Sequence, residues 1–318
     1  MPDATAAFPP RIDPSLLALS RSVLDRAADR RRDPAWLDQA WARPDTQVVV
    51  VATDRLAVSP DHARLTFVKA ADAPPGERAF LGIDRDAGAG RHADGRAVFA
   101  VLLDPTDDRS GDDGFATLRE AGAFLDDREA GIAVHSIGLA NWHATHPRCA
   151  RCGAATDVGE AGHIRRCPEC SAQHFPRSDP AIIVLVTDDE DRALLGRGAN
   201  WPPGRYSTLA GFVEPGESLE AAVRREVFEE TGVVLSDDIW YAGSQPWPFP
   251  SSLMLGFYAR AAQTEIAIDD DEITDARWFT REDLLDAAEA ANVKLPGAVS
   301  ISRRLIEGWY GAKLPGRW

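Results

Sequence analysis

Residues 211–233 read GFVEPGESLEAAVRREVFEETGV. Gly211 is followed in turn by Glu217, Arg225-Glu226, Glu229-Glu230 and Gly232. Taken as a helix from Ser218 to Thr231, the stretch carries a contradiction. At about 100° per residue, Leu219, Ala222, Val223 and Val227 form one apolar stripe. Glu226, Glu229 and Glu230 fall largely on that same side, one turn further on. A carboxylate turned toward a protein interior is costly unless compensated. A divalent cation compensates it, because Mg²⁺ and Mn²⁺ favour carboxylate oxygens. The i, i+3, i+4 spacing keeps the three groups on one face. A plain solvated acidic face is the alternative. Gly211 and Gly216 permit tight turns, and Pro215 stiffens the loop between them. Ser218 suits an N-cap, and Gly232 suits the left-handed residue past the helix end. Arg225 is placed to orient Glu217 or Glu229 by a bidentate contact.

All four cysteines of the chain lie upstream, as Cys149-x2-Cys152 and Cys167-x2-Cys170. Two such knuckles supply four thiolates to one tetrahedral Zn²⁺, and four ligands leave no open position, so the ion is expected to be structural. Two disulfides are the alternative, but nothing marks the chain as secreted. His143, His146 and His174 flank this segment, and packing or surface roles are expected for them.

Residues 244–251 read SQPWPFPS. Pro246, Pro248 and Pro250 exclude a regular helix and predict a rigid, exposed loop holding Trp247 and Phe249 apart. Such rings stack on bases or a nicotinamide. Gln245, Ser244 and Ser251 offer groups for ring amides and ribose. Loop packing alone is the bland reading.

At every specified position, residues 211–233 resemble the Nudix box. With the four cysteines and SQPWPFP in this order, the chain resembles the NADH pyrophosphatase (NudC-like) subfamily of Nudix hydrolases. The likeness covers residues 135–310, including NWHATHPRCARCG, HFPRSDPAIIVLV and ISRRLIEGW. It implies hydrolysis of NADH or NAD⁺ to NMN(H) and AMP with Mg²⁺ or Mn²⁺. Removal of a 5′-NAD cap from RNA uses the same chemistry and remains open, as do other nucleoside diphosphate derivatives. By the resemblance, Ala210, Glu226, Glu229, Glu230 and Glu272 bind the catalytic ion. Glu229 and Glu272 are each a ligand or the base, with Glu217 and Arg225 beside them. Phe175, Phe212 and Ser302 join residues 244–251 as substrate contacts. Phe175 stands where some relatives carry tyrosine, and an acidic ribbon residue of some relatives has no counterpart near Gly162. A homodimer is also implied, with Phe212 reaching the partner's pocket. A catalytically inert binding module is disfavoured because every carboxylate of the box is present.

The implied fold class is α+β: an N-terminal α+β domain over 1–143, a zinc ribbon over 144–176, and a Nudix α/β/α sandwich over 177–318. The net charge of −15 in 318 residues, concentrated in DPTDDRSGDD (104–113) and IDDDE (268–272), does not favour non-specific nucleic-acid binding. No signal-peptide pattern opens the chain, and the aliphatic run Ala181–Val186 is too short to span a bilayer. Reduced thiols point to the cytoplasm. Elsewhere, LLALSRSVLDRAADR, ATLREAGAFLD, EAGIAVHSIGLANWHA, REDLLDAAEAA and SISRRLIEGWYG predict helices. VVVVA, RLTFV, AVFAVLL, AIIVLVT, RALLGR and LMLGFYARAA predict strands, and TDARWF an edge strand or turn.

Overall fold

The computed structural model describes residues 9–21, 23–85, 95–104, 106–107, 114–268 and 272–316. Most of the two acidic loops, 104–113 and 268–272, lies outside them. The chain folds as two compact units. One holds residues 21–178 with 247–251; the other holds the chain up to Ser20 with 179–246 and from Ser252 onward.

The first unit begins with α1 (Pro34–Ala42), capped by Asp33 accepting from the Trp36 N–H at 3.0 Å. Its sheet contains β1 (Gln47–Ala52), β2 (Arg55–Ala57), β3 (Phe67–Lys69), β4 (Glu77–Asp84), β5 (Arg96–Leu102) and β6 (Phe115–Thr117). The order is β4-β5-β1-β2-β6, with β3 also on β1; β1 and β5 run parallel and the other pairs antiparallel. Val48, Val50, Phe80, Phe99 and Val101 fill the core, and Trp36 and Trp41 set their rings edge-on to Phe80 and Phe99. A short α2 (Leu118–Ala121) starts on a Thr117/Glu120 capping box and leads to α3 (Asp127–Thr145). The ribbon follows as β7 (Asp157–Gly159), β8 (Ile164–Arg166) and β9 (Gln173–His174).

The second unit is built on β10 (Asp179–Thr187), β11 (Ala193–Gly198), β12 (Leu209–Phe212), β13 (Val234–Trp247), β14 (Ser252–Gln263) and β15 (Ile273–Phe279). The order is β13-β14-β10-β11-β15, with β12 on β10 and β10 parallel to β14. TDARWF is the edge strand. Strand alternation splits the core in two. Ile182, Val184 and Val186 pack with Ala222, Val223 and Val227 of α4 (Leu219–Thr231). Ile183 and Leu185 pack with Leu284 of α5 (Arg281–Glu289) and Leu305, Ile306 and Trp309 of α6 (Ile301–Tyr310). This is the expected α/β/α sandwich, and each fully buried aliphatic contributes about 1.5–3 kcal/mol.

Two helix expectations fail. LLALSRSVLDRAADR holds only a 3-10 turn at Pro14–Leu16 before Ala28–Arg32. Leu19 and Ala27 sit at φ 70° and 38°, which interrupts a right-handed helix. Ile12 and Leu17 are instead drawn into the core of the second unit, where the Ile12 N–H donates to the Ala242 carbonyl at 2.9 Å. ATLREAGAFLD is helical only over α2. In the first stretch tertiary burial overrides local propensity.

Candidate active site and zinc centre

α4 forms because Ser218 caps its start, accepting from the Ala221 N–H at 3.2 Å, and Gly232 closes it at φ 70°. The helix buries Glu226 along with Ala222, Val223 and Val227. The acidic contradiction in the sequence is physically present at Glu226, whereas Glu229, expected on the same side, is exposed and Glu230 is half-buried. Gly211, on β12, lies against this carboxylate: a Cβ there would fall 1.9 Å from the Glu226 Cδ. Only glycine leaves room for the acid.

Arg225 organises the carboxylates. Its Nε and Nη2 donate to the two oxygens of Glu217 at 3.2 and 2.6 Å. Its Nη1 donates to Glu226 at 2.8 Å and to Glu229 at 2.9 Å, and its Nη2 also donates to the Phe212 carbonyl at 2.9 Å. Both sequence alternatives for its partner, Glu217 and Glu229, are thus realised together. The guanidinium holds the Glu217 carboxyl below its ordinary range. Burial raises Glu226, with Arg225 opposing and Glu229 and Glu272 adding to the rise.

Glu230 is the outlier. Burial, then the charges of Glu226 and Glu272, push its carboxyl up to about 8, opposed by a bond from the Ala210 N–H. Its Oε2 is buried and has no hydrogen-bond partner. Glu229 and Glu272 are exposed. Arg225 occupies oxygens of Glu226 and Glu229, and among the described residues these acids do not close into a tight ligand cluster.

The four cysteines do. Their sulfurs lie within 4.8 Å of one another, with Cys149–Cys170 at 3.6 Å and Cys152–Cys167 at 3.4 Å. A tetrahedron with Zn–S bonds of about 2.3 Å places sulfurs about 3.8 Å apart, so the set fits zinc. All four are free thiols, which excludes the disulfide alternative. The knuckles are built alike. The Cys149 N–H donates to Ala154 O at 2.7 Å and the Cys167 N–H to Ala172 O at 2.9 Å. Left-handed Gly153 and Ser171 turn each one. His174 Nε2 lies 3.3 Å from Cys149 Sγ, outside the ligand set, while His143 bonds the Gly162 carbonyl at 2.9 Å. His146 Nδ1 lies 3.2 Å from the Trp142 carbonyl.

The candidate substrate residues divide. Phe175 and Phe212 are 62% and 58% exposed. Ser244 is half-buried and accepts at its carbonyl from Ser20 Oγ at 3.2 Å. Pro246 continues β13 and Ser251 lies in the turn. Trp247 and Phe249 are not held apart: their rings meet edge to face at 5.0 Å, a contact that buries both partly. Two residues that the sequence reading missed hold this turn. The Arg119 guanidinium lies 4.0 Å from the Phe249 ring centroid and 5.6 Å from that of Trp247. Asn141 Nδ2 donates to the carbonyls of Pro248 and Pro250 at 3.0 and 3.1 Å. No local pattern marks either residue, since each meets the turn across more than a hundred residues of sequence.

Two expected contacts need correction. Gln245 is fully buried: its Nε2 donates to Ala18 O and, at 2.7 Å, to Val299 O, and its Oε1 accepts from the Ile301 N–H at 2.8 Å. Its amide is spent on the fold. Ser302 is 1% exposed, with its Oγ 2.8 Å from the hydroxyls of both Ser207 and Thr208. A hydroxyl so enclosed has no free face for a ligand.

The Nudix domain model matches residues 177–296, and the NADH pyrophosphatase zinc ribbon domain model matches residues 144–175. NAD-capped RNA hydrolase NudC of Mycobacterium bovis is 39% identical over 312 residues, covering 93% of this chain and 95% of that protein. NAD-capped RNA hydrolase NUDT12 of Homo sapiens is 42% identical over 197 residues, 58% of this chain and 42% of that longer protein. A crystal structure of a Nudix hydrolase from Nitrosomonas europaea aligns with a TM-score of 0.42 at 20% identity, covering 53% of this chain and 95% of that one. The chain belongs to the NudC-like Nudix hydrolases. Its ribbon is a zinc ribbon, and membership of the Nudix hydrolases implies a divalent metal. No helix among the described residues is long and apolar enough to cross a membrane.

The residues present fit a divalent ion in this NudC-like hydrolase. Glu230 offers a buried oxygen with no other partner, and Glu226 is kept against Gly211. Below about pH 8 Glu230 carries a proton that a bound cation must displace. Apparent Mn²⁺ affinity is therefore expected to strengthen as pH rises toward 8, by up to about tenfold per unit, and to level off above it. Calorimetric titration in buffers of different ionisation enthalpy counts the released proton. An affinity indifferent to pH across this range would remove Glu230 from the ligand set.

Proposed function

We propose that this protein is a Mg²⁺- or Mn²⁺-dependent pyrophosphatase that hydrolyses NADH or NAD⁺ to NMN(H) and AMP. The observation that carries the reading is Glu230, a half-buried acid with a buried, unbonded oxygen and a raised pKa beside Glu226. The bound ion neutralises phosphate charge and lowers the pKa of the attacking water. Glu226 and Glu230 hold the ion, with the Ala210 carbonyl contributing. Glu229 and Glu272, both exposed, serve as further ligand or base. Arg225 keeps Glu217, Glu226 and Glu229 oriented through charge-assisted bonds. Trp247 and Phe249 form the aromatic platform for the substrate, steadied by Arg119 and Asn141, with Phe175 and Phe212 as further ring surfaces.

The names of the relatives favour a second substrate, RNA bearing a 5′-NAD cap, in which the same anhydride is cut. Relative kcat/KM on free NADH, NAD⁺, ADP-ribose and NAD-capped RNA, each with Mg²⁺ and with Mn²⁺, separates the possibilities. Uniform inactivity across this panel in zinc-replete protein would overturn the reading. We place the enzyme in the cytoplasm and expect a homodimer in which exposed Phe212 reaches the partner's pocket; native mass spectrometry reads the assembly.

Trp247→Ala is expected to raise KM for NADH about ten- to hundredfold, since one aromatic platform contributes about 1–3 kcal/mol to stacking. ADP-ribose, which lacks nicotinamide, should be affected far less. Equal losses on both substrates would mean that Trp247 only supports Phe249 and the turn.

A further inference from the structure

The second unit has a cleft that the proposed reaction does not use. β11 and β15 pair antiparallel, with Arg197 opposite Asp275, Leu195 opposite Arg277 and Ala193 opposite Phe279. By strand alternation these side chains share the face that packs on α5 and α6, where Ala193, Leu195 and Phe279 are buried. α4, which carries Glu226 and Glu230, covers the opposite face. Arg197, Asp275 and Arg277 line one cleft of about 410 Å³ together with Pro203, Tyr206 and Asn292. That volume lies within the range of about 300–1,000 Å³ common for small-molecule sites. Two backbone bonds fix its rim: the Lys294 N–H donates to the Gly204 carbonyl at 2.6 Å, and the Tyr206 N–H to the Lys294 carbonyl at 3.1 Å. The buried rings of Tyr206 and Phe279, with centroids 5.7 Å apart, make its apolar side with Pro203 and Ala287.

The charged lining residues are Arg197, Arg277 and Asp275. Asp275 is fully engaged. Its Oδ1 accepts from Arg277 Nε at 3.0 Å, and its Oδ2 lies 2.7 Å from Arg277 Nη2 and accepts from the Tyr206 hydroxyl. Arg197 is the cross-strand neighbour of Asp275 yet forms no ion pair with it. Its half-buried guanidinium has no hydrogen bond or ion pair among the described residues. With Asp275 counted in full, two guanidiniums and one carboxylate leave the cleft one net positive charge. A planar carboxylate balances that single charge and matches the guanidinium fork, whereas a phosphate dianion would face Asp275 with a charge to spare.

We infer that this cleft binds a small organic carboxylate carrying a flat ring. The carboxylate lies bidentate on Arg197. The ring lies along Pro203, Ala287 and the Tyr206–Phe279 side, and the Asn292 amide reaches a polar ring substituent. The site draws on no residue of the Nudix box and stands whether or not the proposed reaction does.

The test uses full-length, zinc-loaded protein in chloride buffer, with ¹⁵N-detected signals of the Arg197 Nε–H, the Asn292 side-chain amide and the Gly204 backbone followed during titration. Benzoate is expected to shift all three and to saturate at one molecule per chain. Benzamide, with the same ring and no charge, and acetate, with the charge and no ring, should each bind about tenfold more weakly or worse. Arg197→Gln should weaken benzoate about tenfold or more. Arg197→Lys, which keeps the charge and loses the fork, should fall between. Asn292→Ala, at an exposed position, should leave benzoate binding intact and weaken 3-hydroxybenzoate selectively. NADH hydrolysis at saturating substrate should be unchanged in all three variants, which guards against misfolding. No shift at millimolar benzoate would overturn the inference. So would equal binding of benzoate and benzamide, equal binding of benzoate and acetate, or undiminished benzoate binding in Arg197→Gln.

Discussion

Glu230→Gln is expected to lower kcat/KM for NADH by about a thousandfold or more, because it removes one charge from the metal site while keeping the shape. The loss corresponds to roughly 4 kcal/mol of transition-state stabilisation. The folded protein should not suffer. Glu230 is held half-buried at a cost, with its pKa pushed up to about 8 and one buried oxygen unbonded. Below about pH 8 the ion-free site holds Glu230 protonated, at the cost of taking up a proton on folding, and a neutral amide meets that state without the uptake, so the ion-free variant should melt no lower than the parent. The pairing of lost turnover with retained stability separates a metal ligand from a structural acid. Near-parental turnover with unchanged Mn²⁺ affinity would sink the assignment.

Cys149→Ser acts in the opposite sense, on folding before chemistry. The protein as purified without chelator is expected to hold about one tightly bound zinc, and the variant to lose it. Structural zinc supplies apparent binding energies of about 10–16 kcal/mol in small zinc domains, so the ribbon should unfold locally. Hydrogen exchange should rise across residues 147–175, where both knuckles rest on bonds such as Cys149 N–H to Ala154 O and Cys167 N–H to Ala172 O. Metal analysis and exchange mass spectrometry read the two effects. A zinc-free parent with the same protection as the variant would show that the thiols hold no ion.

What could be read in the chain was local. The helix boundary at Ser218, the left-handed Gly232 and the facing of Glu226 follow from spacing within one helix, and the structure reproduces each. The two Cys-x2-Cys knuckles are likewise short loops whose geometry depends on few residues, and their sulfurs converge as expected. The crowding of Gly211 by Glu226 gives that glycine a sharper reason than turn freedom, and it appears only when β12 and α4 pack.

Other sites escaped because their meaning lies in distant partners. Gln245 and Ser302 are polar residues whose identities suit a ligand. Only the packing of α6 and the N-terminal segment spends the Gln245 amide on Ala18, Val299 and Ile301, and the Ser302 hydroxyl on Ser207 and Thr208. Trp247 and Phe249 looked like separated platforms, yet a half-buried edge-to-face contact under Arg119 is more favourable than two exposed rings. Residues 16–30 have helical periodicity, but burial of Leu17 and of Ile12 before it, and a backbone bond from Ile12 to Ala242, outweigh a helix propensity of a few tenths of a kcal/mol per residue. The sequence by itself determined the family, the metal-binding helix and the zinc knuckles, because their chemistry is encoded at short, fixed spacings. The tertiary structure alone decided which polar groups remain available to a ligand, because hydrogen-bond satisfaction is settled between residues far apart in the chain.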